Sequence, residues 1–357
     1  MATASLIQTG LLRACPFAAL LVSLSASPQP AHAVSNGEPA RGARNIQEQL
    51  LEAQPARKVT ITYTTHNGHQ RNAYVQLPHG YGPGNNPAIP LVISPHGRGV
   101  DGKINTRRWG NLPTIGRFAV VNPDGYGRVL KLHSWGFRGQ IDDLARMADI
   151  VEEELRWLHI DRTRLYAVGA SMGAHETLLL AGRYPGLLAG AVAVDGPADF
   201  ALQYRNFPRL VCDRECLARG WGHTGLAKQR LARREIGGTP KSVPENYAER
   251  SPLSYARTIA ESCVPVQIWW SRTDEIVLDP SRQSGRVVDE LRALNPHAPV
   301  DEFVGSWDHT EVMRHETDLP KMLAGLGLLP PTFAIERVGA THDGPAREDR
   351  CGVGRRG

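Results

Sequence analysis

Little in this chain of 357 residues points to a membrane, a metal or a nucleic acid. Beyond the N-terminus no stretch stays apolar for the roughly 18 residues that a spanning helix needs, so the mature protein is expected to have no membrane partner. No unit of about 20 to 50 residues recurs, which argues against a solenoid or a propeller. Charge of one sign is also scarce. The 41 Lys and Arg stand against 36 Asp and Glu, a formal excess of +5. On a chain of this size that excess speaks to solubility and loose attraction, and no nucleic-acid partner is expected from it. Cysteine is sparse, with five residues in all. The one short-range pair, Cys212 and Cys216, has only His223 nearby and lacks a second ligand pair at zinc spacing, so no metal and no cofactor are expected.

What is present begins with an export signal. Arg13 precedes an apolar run from Pro16 to Ala26, and Ala31-His32-Ala33 supplies the small-x-small pattern cleaved by signal peptidase. The run is too short to remain as a spanning helix. Residues 1–33 are therefore expected to be removed, leaving a secreted protein, extracellular or periplasmic. Cleavage removes Cys15 and leaves Cys212, Cys216, Cys263 and Cys351, an even number that permits disulfides in an oxidising compartment without fixing their pairing.

Strand and helix patterns then alternate. Val59–Thr64 and Asn72–Leu77 flank His66-Asn67-Gly68-His69 and predict a hairpin around an Asn-Gly turn. Pro90–Ser94, Phe118–Asn122, Leu165–Gly169, Leu188–Val194, Pro265–Trp270 and Val300–Val304 are short apolar runs of the kind that become buried parallel strands. Between them, Ile141, Leu144, Met147, Ala148, Val151, Leu155 and Leu158 mark one face of a helix whose polar face carries Asp142, Asp143, Glu152 and Glu153. The pattern predicts an α/β fold: a mostly parallel sheet of about eight strands, an antiparallel N-terminal hairpin and helices on both faces. The expected division is a linker or helix over 34–56, a main domain over 57–330 and a disordered tail over 331–357. Residues 201–250 hold ten Lys and Arg against five Asp and Glu, and read as a small cap or lid, or as a solvated helical excursion.

Chemistry enters at Tyr166-Ala167-Val168-Gly169-Ala170-Ser171-Met172-Gly173-Ala174. A GxSxG pattern counts as a nucleophile elbow when a strand leads in and a helix leads out, and here Leu165–Val168 and Ala174–Ala181 satisfy both conditions. A serine hydroxyl needs a base, and the base needs an orienting carboxylate. His309 directly follows the last strand, whereas His297 precedes it and His315 lies within the next segment. Asp274 sits on the loop after the seventh strand, with Glu275, Asp279 and, after the sixth strand, Asp195 as rivals. An oxyanion hole needs two backbone donors. Met172 and either Gly97 or Arg98, in the turn Ser94-Pro95-His96-Gly97-Arg98-Gly99, are expected to supply them. Tyr126, Trp135 and Trp307 are candidates for lining a substrate pocket, as well as for ordinary packing.

Taken with Asp142-Asp143, Asp161–Tyr166 and Glu249–Ala256, these motifs resemble the α/β-hydrolase superfamily over about residues 57–328. Within it they are similar to secreted esterases and to the catalytic domain of prolyl-oligopeptidase-like serine hydrolases. The departures are the lack of an N-terminal propeller and an elbow that reads SMGA where many relatives have a further glycine. The resemblance implies a secreted carboxylic ester hydrolase working through an acyl-enzyme. Its ester substrate would come from a plant or microbial extracellular polymer, by similarity to feruloyl and acetylxylan esterases and polyhydroxyalkanoate depolymerases. A peptidase acting on short peptides, and a noncatalytic binding module on the same scaffold, are the alternatives.

Overall fold

The computed structural model describes residues 53–211 and 225–333. The expected signal peptide, Cys212, Cys216, Cys351 and all but the first three residues of the expected tail lie outside the described residues.

Period-two alternation builds the first two strands. In β1 (Arg57–Thr64) Ile61 and Tyr63 are buried between exposed neighbours. It pairs antiparallel with β2 (Gln70–Leu77) in a continuous register from Arg57 opposite Leu77 to Thr64 opposite Gln70. Gly68, at a φ of 81°, closes the turn between them, and its N–H donates to the Thr65 carbonyl. Three of the following strands are almost wholly apolar. β3 (Ile89–Ile93), β4 (Ala119–Pro123) and β6 (Gly190–Val194) are buried at every residue, because helices cover both faces of a parallel sheet. β5 (Ile160–Ala170), β7 (Val266–Ser271) and β8 (Val300–Gly305) complete an eight-stranded sheet in the order β1-β2-β4-β3-β5-β6-β7-β8. β2 runs antiparallel to β4, and every pairing from β4 onward is parallel. The parallel strands therefore share one carboxyl edge, where open α/β sheets place their ligands.

The helices are α1 (Gly102–Asn105), α2 (Leu112–Gly116), α3 (Arg138–Ala145), α4 (Met147–Glu154), α5 (Met172–Arg183), α6 (Phe200–Asn206), α7 (Gly225–Ile236), α8 (Pro244–Glu249), α9 (Ala256–Ser262), α10 (Ser284–Leu294) and α11 (Leu319–Gly325). One core layer joins Val75, Leu91 and Ala167 of the sheet to Ile141, Val151, Leu179 and Val288 of the helices. The opposite layer joins Val120, Val168 and Val194 to Trp109, Phe118, Met322 and Leu323.

The single helix expected across Ile141–Leu158 is instead two helices, α3 and α4, that meet at Arg146 (φ −89°, ψ −1°). Asp143 explains the break, and it is not on a solvent face. It is 1% exposed, and its carboxylate accepts from the backbone N–H and the ring Nδ1 of His66 at 2.8 and 2.7 Å and from Arg146 at 2.5 Å. The helix is thus tied to the β1–β2 turn, and the chain bends where Arg146 reaches back to the same carboxylate.

Residues 201–250 contribute helices that pack a third apolar cluster, in which Phe207, Ala232, Ile236 and Tyr247 meet Trp135, Met172 and Phe200. Glu235 of α7, fully buried, fastens this segment down. It accepts from the backbone N–H groups of Arg128, Val129 and Leu130 and pairs with Arg250, whose guanidinium also donates to the Ser134 carbonyl at 2.7 Å.

Within α5, Glu176 is 1% exposed, and its carboxyl meets the Ser134 hydroxyl. Burial pushes its pKa up to about 8, against the hydrogen bonds from Ser134 and Gln140. The folded state therefore holds this proton more tightly than the unfolded chain does. Stability is lost as pH rises from the ordinary glutamate range through about 8. Glu176→Gln is expected to flatten that decline and to raise the melting temperature above wild type near pH 8. Melting curves from pH 5 to 8.5 test it, and an unchanged slope in the variant would remove Glu176 as the cause.

Candidate active site

The sharp turn between β5 and α5 places Ser171 at the carboxyl edge. Its φ of 57° and ψ of −122° lie in a region sparsely populated by L-residues, at a typical cost of about 1–3 kcal/mol that the surroundings must hold in place. The Ser171 N–H donates to Val194 O of β6 at 2.9 Å, and its carbonyl accepts from His175 N at 3.1 Å. The two flanking glycines are required by close approach. A Cβ on Gly169 would stand 2.3 Å from Gly173 O, and one on Gly173 would stand 2.2 Å from Pro95 O.

The other groups arrive from the ends of the neighbouring strands. His309, four residues beyond β8, places Nε2 at 2.9 Å from Ser171 Oγ and Nδ1 at 2.8 Å from Asp274 Oδ2. Asp274, on the turn after β7, is held by the N–H groups of Ile276 and Val277, which donate to Oδ1 at 2.7 and 2.9 Å. Ser171, His309 and Asp274 thus form one continuous hydrogen-bonded line with the carboxylate buried behind the imidazole. Among the rival residues, Glu275 is exposed, and Asp279 pairs with Arg209 at 2.7 Å. His297 is exposed, and His315 pairs with Glu316.

Asp195 takes a different part. It lies at the end of β6 with a φ of 51° and 1% exposure. Its carboxylate accepts three N–H groups: Ser271 N at 2.9 Å, the Trp307 indole at 2.9 Å and Thr310 N at 2.8 Å. Burial and then the Asp274 carboxylate push it up to about 6, while His309 and the bonds from Thr310 and Trp307 pull the other way. Ser271 adds a second tie, with its hydroxyl donating to Trp307 O at 2.6 Å and accepting from Trp307 N at 2.9 Å. Together these clasp the His309 loop onto β7. Trp307, expected as pocket lining, is thereby spent on Asp195, and Tyr126 stacks beneath the Arg71 guanidinium at 4.1 Å. Asp195, Asp274 and His309 bring ligand-type atoms within 4.8 Å of one another. Their lone pairs and ring nitrogens are nonetheless engaged in the bonds just described, which makes the cluster a hydrogen-bond network better than a cation cradle.

The glycine-rich turn after β3 packs directly on the elbow, since Gly173 abuts Pro95. His96, 1% exposed, fixes its shape. Nδ1–H donates to Gly97 O at 2.7 Å, and Nε2 accepts from Gly125 N–H at 2.7 Å. Both partners demand a neutral ring, and burial lowers its pKa in the same direction. The turn carries Gly97 and Arg98 beside the N-terminus of α5, whose first residue is Met172. Beside Ser171 lies a small cleft, about 20 Å³ in volume, bordered by Trp135, Met172, Phe200, Phe207, Arg98 and Lys228. Of the three expected aromatic lining residues, only Trp135 borders it.

Solved structures share this architecture. A dipeptidyl peptidase 4 from Porphyromonas gingivalis matches with a TM-score of 0.56 and 17% identity over 79% of this chain and 36% of that one. A puromycin-hydrolyzing peptidase from Mycobacterium tuberculosis gives 0.56 and 20% over 79% and 40%. The fluorophosphonate-binding serine hydrolase FphF from Staphylococcus aureus gives 0.52 and 16% over 79% of this chain and all of that one. The chain has the α/β-hydrolase fold. It spans well under half the length of the two peptidases. No protein-family model and no curated protein matches the sequence. The α/β-hydrolase sheet accounts for the site's layout, since the turn with Gly97 follows β3, the serine β5, Asp195 β6, Asp274 β7 and His309 β8.

The close approach at the elbow yields a stability test. Gly173→Ala places a Cβ against the Pro95 carbonyl, and overpacking of this kind costs about 1–3 kcal/mol. Urea unfolding should show a loss in that range, and a variant as stable as wild type would mean that the turn after β3 does not bear on the elbow.

Proposed function

We propose that the protein is a serine hydrolase that cleaves carboxylic esters through an acyl-enzyme. The observation that carries the reading is the unbroken line Ser171 Oγ, His309 Nε2, His309 Nδ1, Asp274 Oδ2, with spacings of 2.9 and 2.8 Å, above a strained serine at the mouth of a cleft. As Ser171 Oγ attacks the ester carbonyl, His309 Nε2 takes its proton, and the carbonyl oxygen gains the negative charge. The N–H of Met172 and one from Gly97 or Arg98 are proposed to receive that oxyanion. Collapse of the tetrahedral intermediate breaks the bond to the alcohol, which leaves with the proton from His309. Water then attacks the acyl-serine, gives His309 its proton, and the acid departs as Ser171 recovers its own. Asp274 keeps Nδ1 protonated and balances the imidazolium charge, so the correct tautomer is set before substrate arrives.

The lining of the small cleft beside Ser171 is mostly apolar. Export through residues 1–33, disulfides among the remaining cysteines, and an ester of an extracellular polymer as substrate belong to the same proposal. Peptide hydrolysis is the second reading, because two of the solved structures that share the fold are peptidases.

A fluorophosphonate probe should label wild type at Ser171 and leave Ser171→Ala unlabelled, with peptide mapping as the check. Hydrolysis of p-nitrophenyl acetate without hydrolysis of alanine or proline anilides supports the esterase, and the reverse supports the peptidase. Asp274→Asn should retain the fold and lose about 10⁴-fold in kcat, the size expected when an imidazole loses its tautomer and countercharge. Asp195→Asn should instead lower the melting temperature and cost less in kcat. If the two variants exchange these effects, the orienting acid is Asp195.

A further inference from the structure

The imidazole reaches the serine by a long loop. In the sheet order β8 stands three strands from β5, about 14 Å away at the usual strand spacing, and residues 306–318 cross that gap without a helix or a strand of their own. Such a segment has no ladder to fix its backbone. Side chains from elsewhere in the fold must aim His309.

The turn that carries the imidazole is itself strained. Glu311 N–H donates to Asp308 O at 2.9 Å and closes a four-residue turn with His309 and Thr310 at its centre. Thr310 has a φ of 64°. Glycine is the ordinary residue at that place in a turn, and a β-branched residue there is an outlier that its surroundings must hold. Thr310 is gripped from two sides. Its N–H donates to Asp195, at the end of β6. Arg108, in the short 3-10 turn Thr106–Arg108 that follows α1, donates through Nη1 to Thr310 O at 3.4 Å and Met313 O at 3.0 Å, and through Nη2 to Thr310 Oγ1 at 3.3 Å. The Arg108 carbonyl also accepts from His315 N at 2.8 Å. Among the described residues no carboxylate pairs with this guanidinium, and the acceptors it reaches all lie on the histidine loop. Burial, and then the charge of Arg314, hold its pKa below the usual arginine value. A buried cation without a counter-ion is costly, and an apolar side chain would fill the same space without that cost.

We infer that Arg108 and Thr310 are positioning residues for His309: the guanidinium grips the carbonyl and hydroxyl of Thr310, locks the turn in its strained form, and so delivers Nε2 to Ser171. This rests on the serine hydrolase reading and deepens it. Asp195 holds the turn from the β6 side and Arg108 from the β3 side, so the loop is pinned on both flanks of the strand that carries the serine. Nothing in the sequence separates Arg108 from its neighbour Arg107, because the acceptors lie some 200 residues further along the chain.

The test compares Arg108→Met and Thr310→Val with Thr310→Ser, using p-nitrophenyl acetate. The first two should lose about 10- to 100-fold in kcat with KM little changed, the size expected when a reacting group is misplaced by a fraction of an ångström to an ångström. Thr310→Ser keeps the hydroxyl and should retain most of the activity. In a His309→Ala background, adding Arg108→Met should cost nothing further, since the imidazole through which it acts is gone. A wild-type kcat in folded Arg108→Met, or a loss that disappears well below the variant's melting temperature, overturns the proposal. So does an equal further loss in the His309→Ala background. Should Arg108→Met fail to fold, Thr310→Val against Thr310→Ser decides, and equal kcat in the two counts against a role for the hydroxyl grip. Proton NMR separates this inference from the hydrolase reading. The low-field resonance of the Nδ1–H between His309 and Asp274, identified by its absence from His309→Ala, should shift or broaden in Arg108→Met or Thr310→Val. If no ester or anilide is turned over and Ser171 does not label, the hydrolase reading fails, while a perturbed resonance still upholds the positioning; an unperturbed one overturns it.

Discussion

The whole site depends on holding one residue's backbone where an L-amino acid resists going. Ser171 sits at a φ of 57°, and nothing local favours it. The turn is anchored because the bond from Ser171 N to Val194 O is the last rung of the β5–β6 ladder, and because α5 begins at once with a buried face. Two glycines remove the atoms that would collide. The strain is thus offset by the sheet on one side and the helix on the other, and the hydroxyl is carried above both. Every other functional group is positioned by reference to this point.

Much of that was legible in the sequence, for a plain reason. Fully apolar runs such as GAVAV of β6 report burial on two faces without knowledge of any partner, and topology then dictates which loops share an edge. Ser171, Asp274 and His309 could be placed at one edge because each follows a strand whose pattern the sequence shows. What the sequence hid were side chains whose role is set by distant contacts. Asp143 looked like one more acid on a polar helix face, yet it anchors His66, 77 residues away in sequence. Asp195 was visible as a carboxylate at the right edge, but its three donors come from the end of β7 and from the loop after β8, so its work as a clasp could not be separated from that of an orienting acid. His96 was read only as part of a glycine-rich turn.

The inserted segment illustrates the same limit from the other side. Its composition is basic, and composition alone suggests a solvated surface. Two of its charged residues are nevertheless buried in fully formed interactions: Glu235 caps three backbone N–H groups, and Arg250 reaches the Ser134 carbonyl. The segment is consequently joined to the loop that carries Trp135 and, through the His175 ring bonded to Arg250 O, to the helix that follows the serine. Charge here serves as mortar between the insertion and the sheet's carboxyl edge, and the apolar cluster around Phe200 fills the space between.

The carboxylate of Asp195 has a consequence for how this scaffold can change. It is bonded at once to the end of β7, to Trp307 and to the residue after His309, so three loops that are far apart in the chain share one fastening. Lengthening any one of them would withdraw a donor and leave a buried charge short of its partners. The loops after β6, β7 and β8 must therefore be inherited, or transplanted, as a set, whereas diversity has a free hand where no such fastening exists. Grafting a new histidine loop alone onto this frame would import the imidazole and lose the hinge pin that aims it.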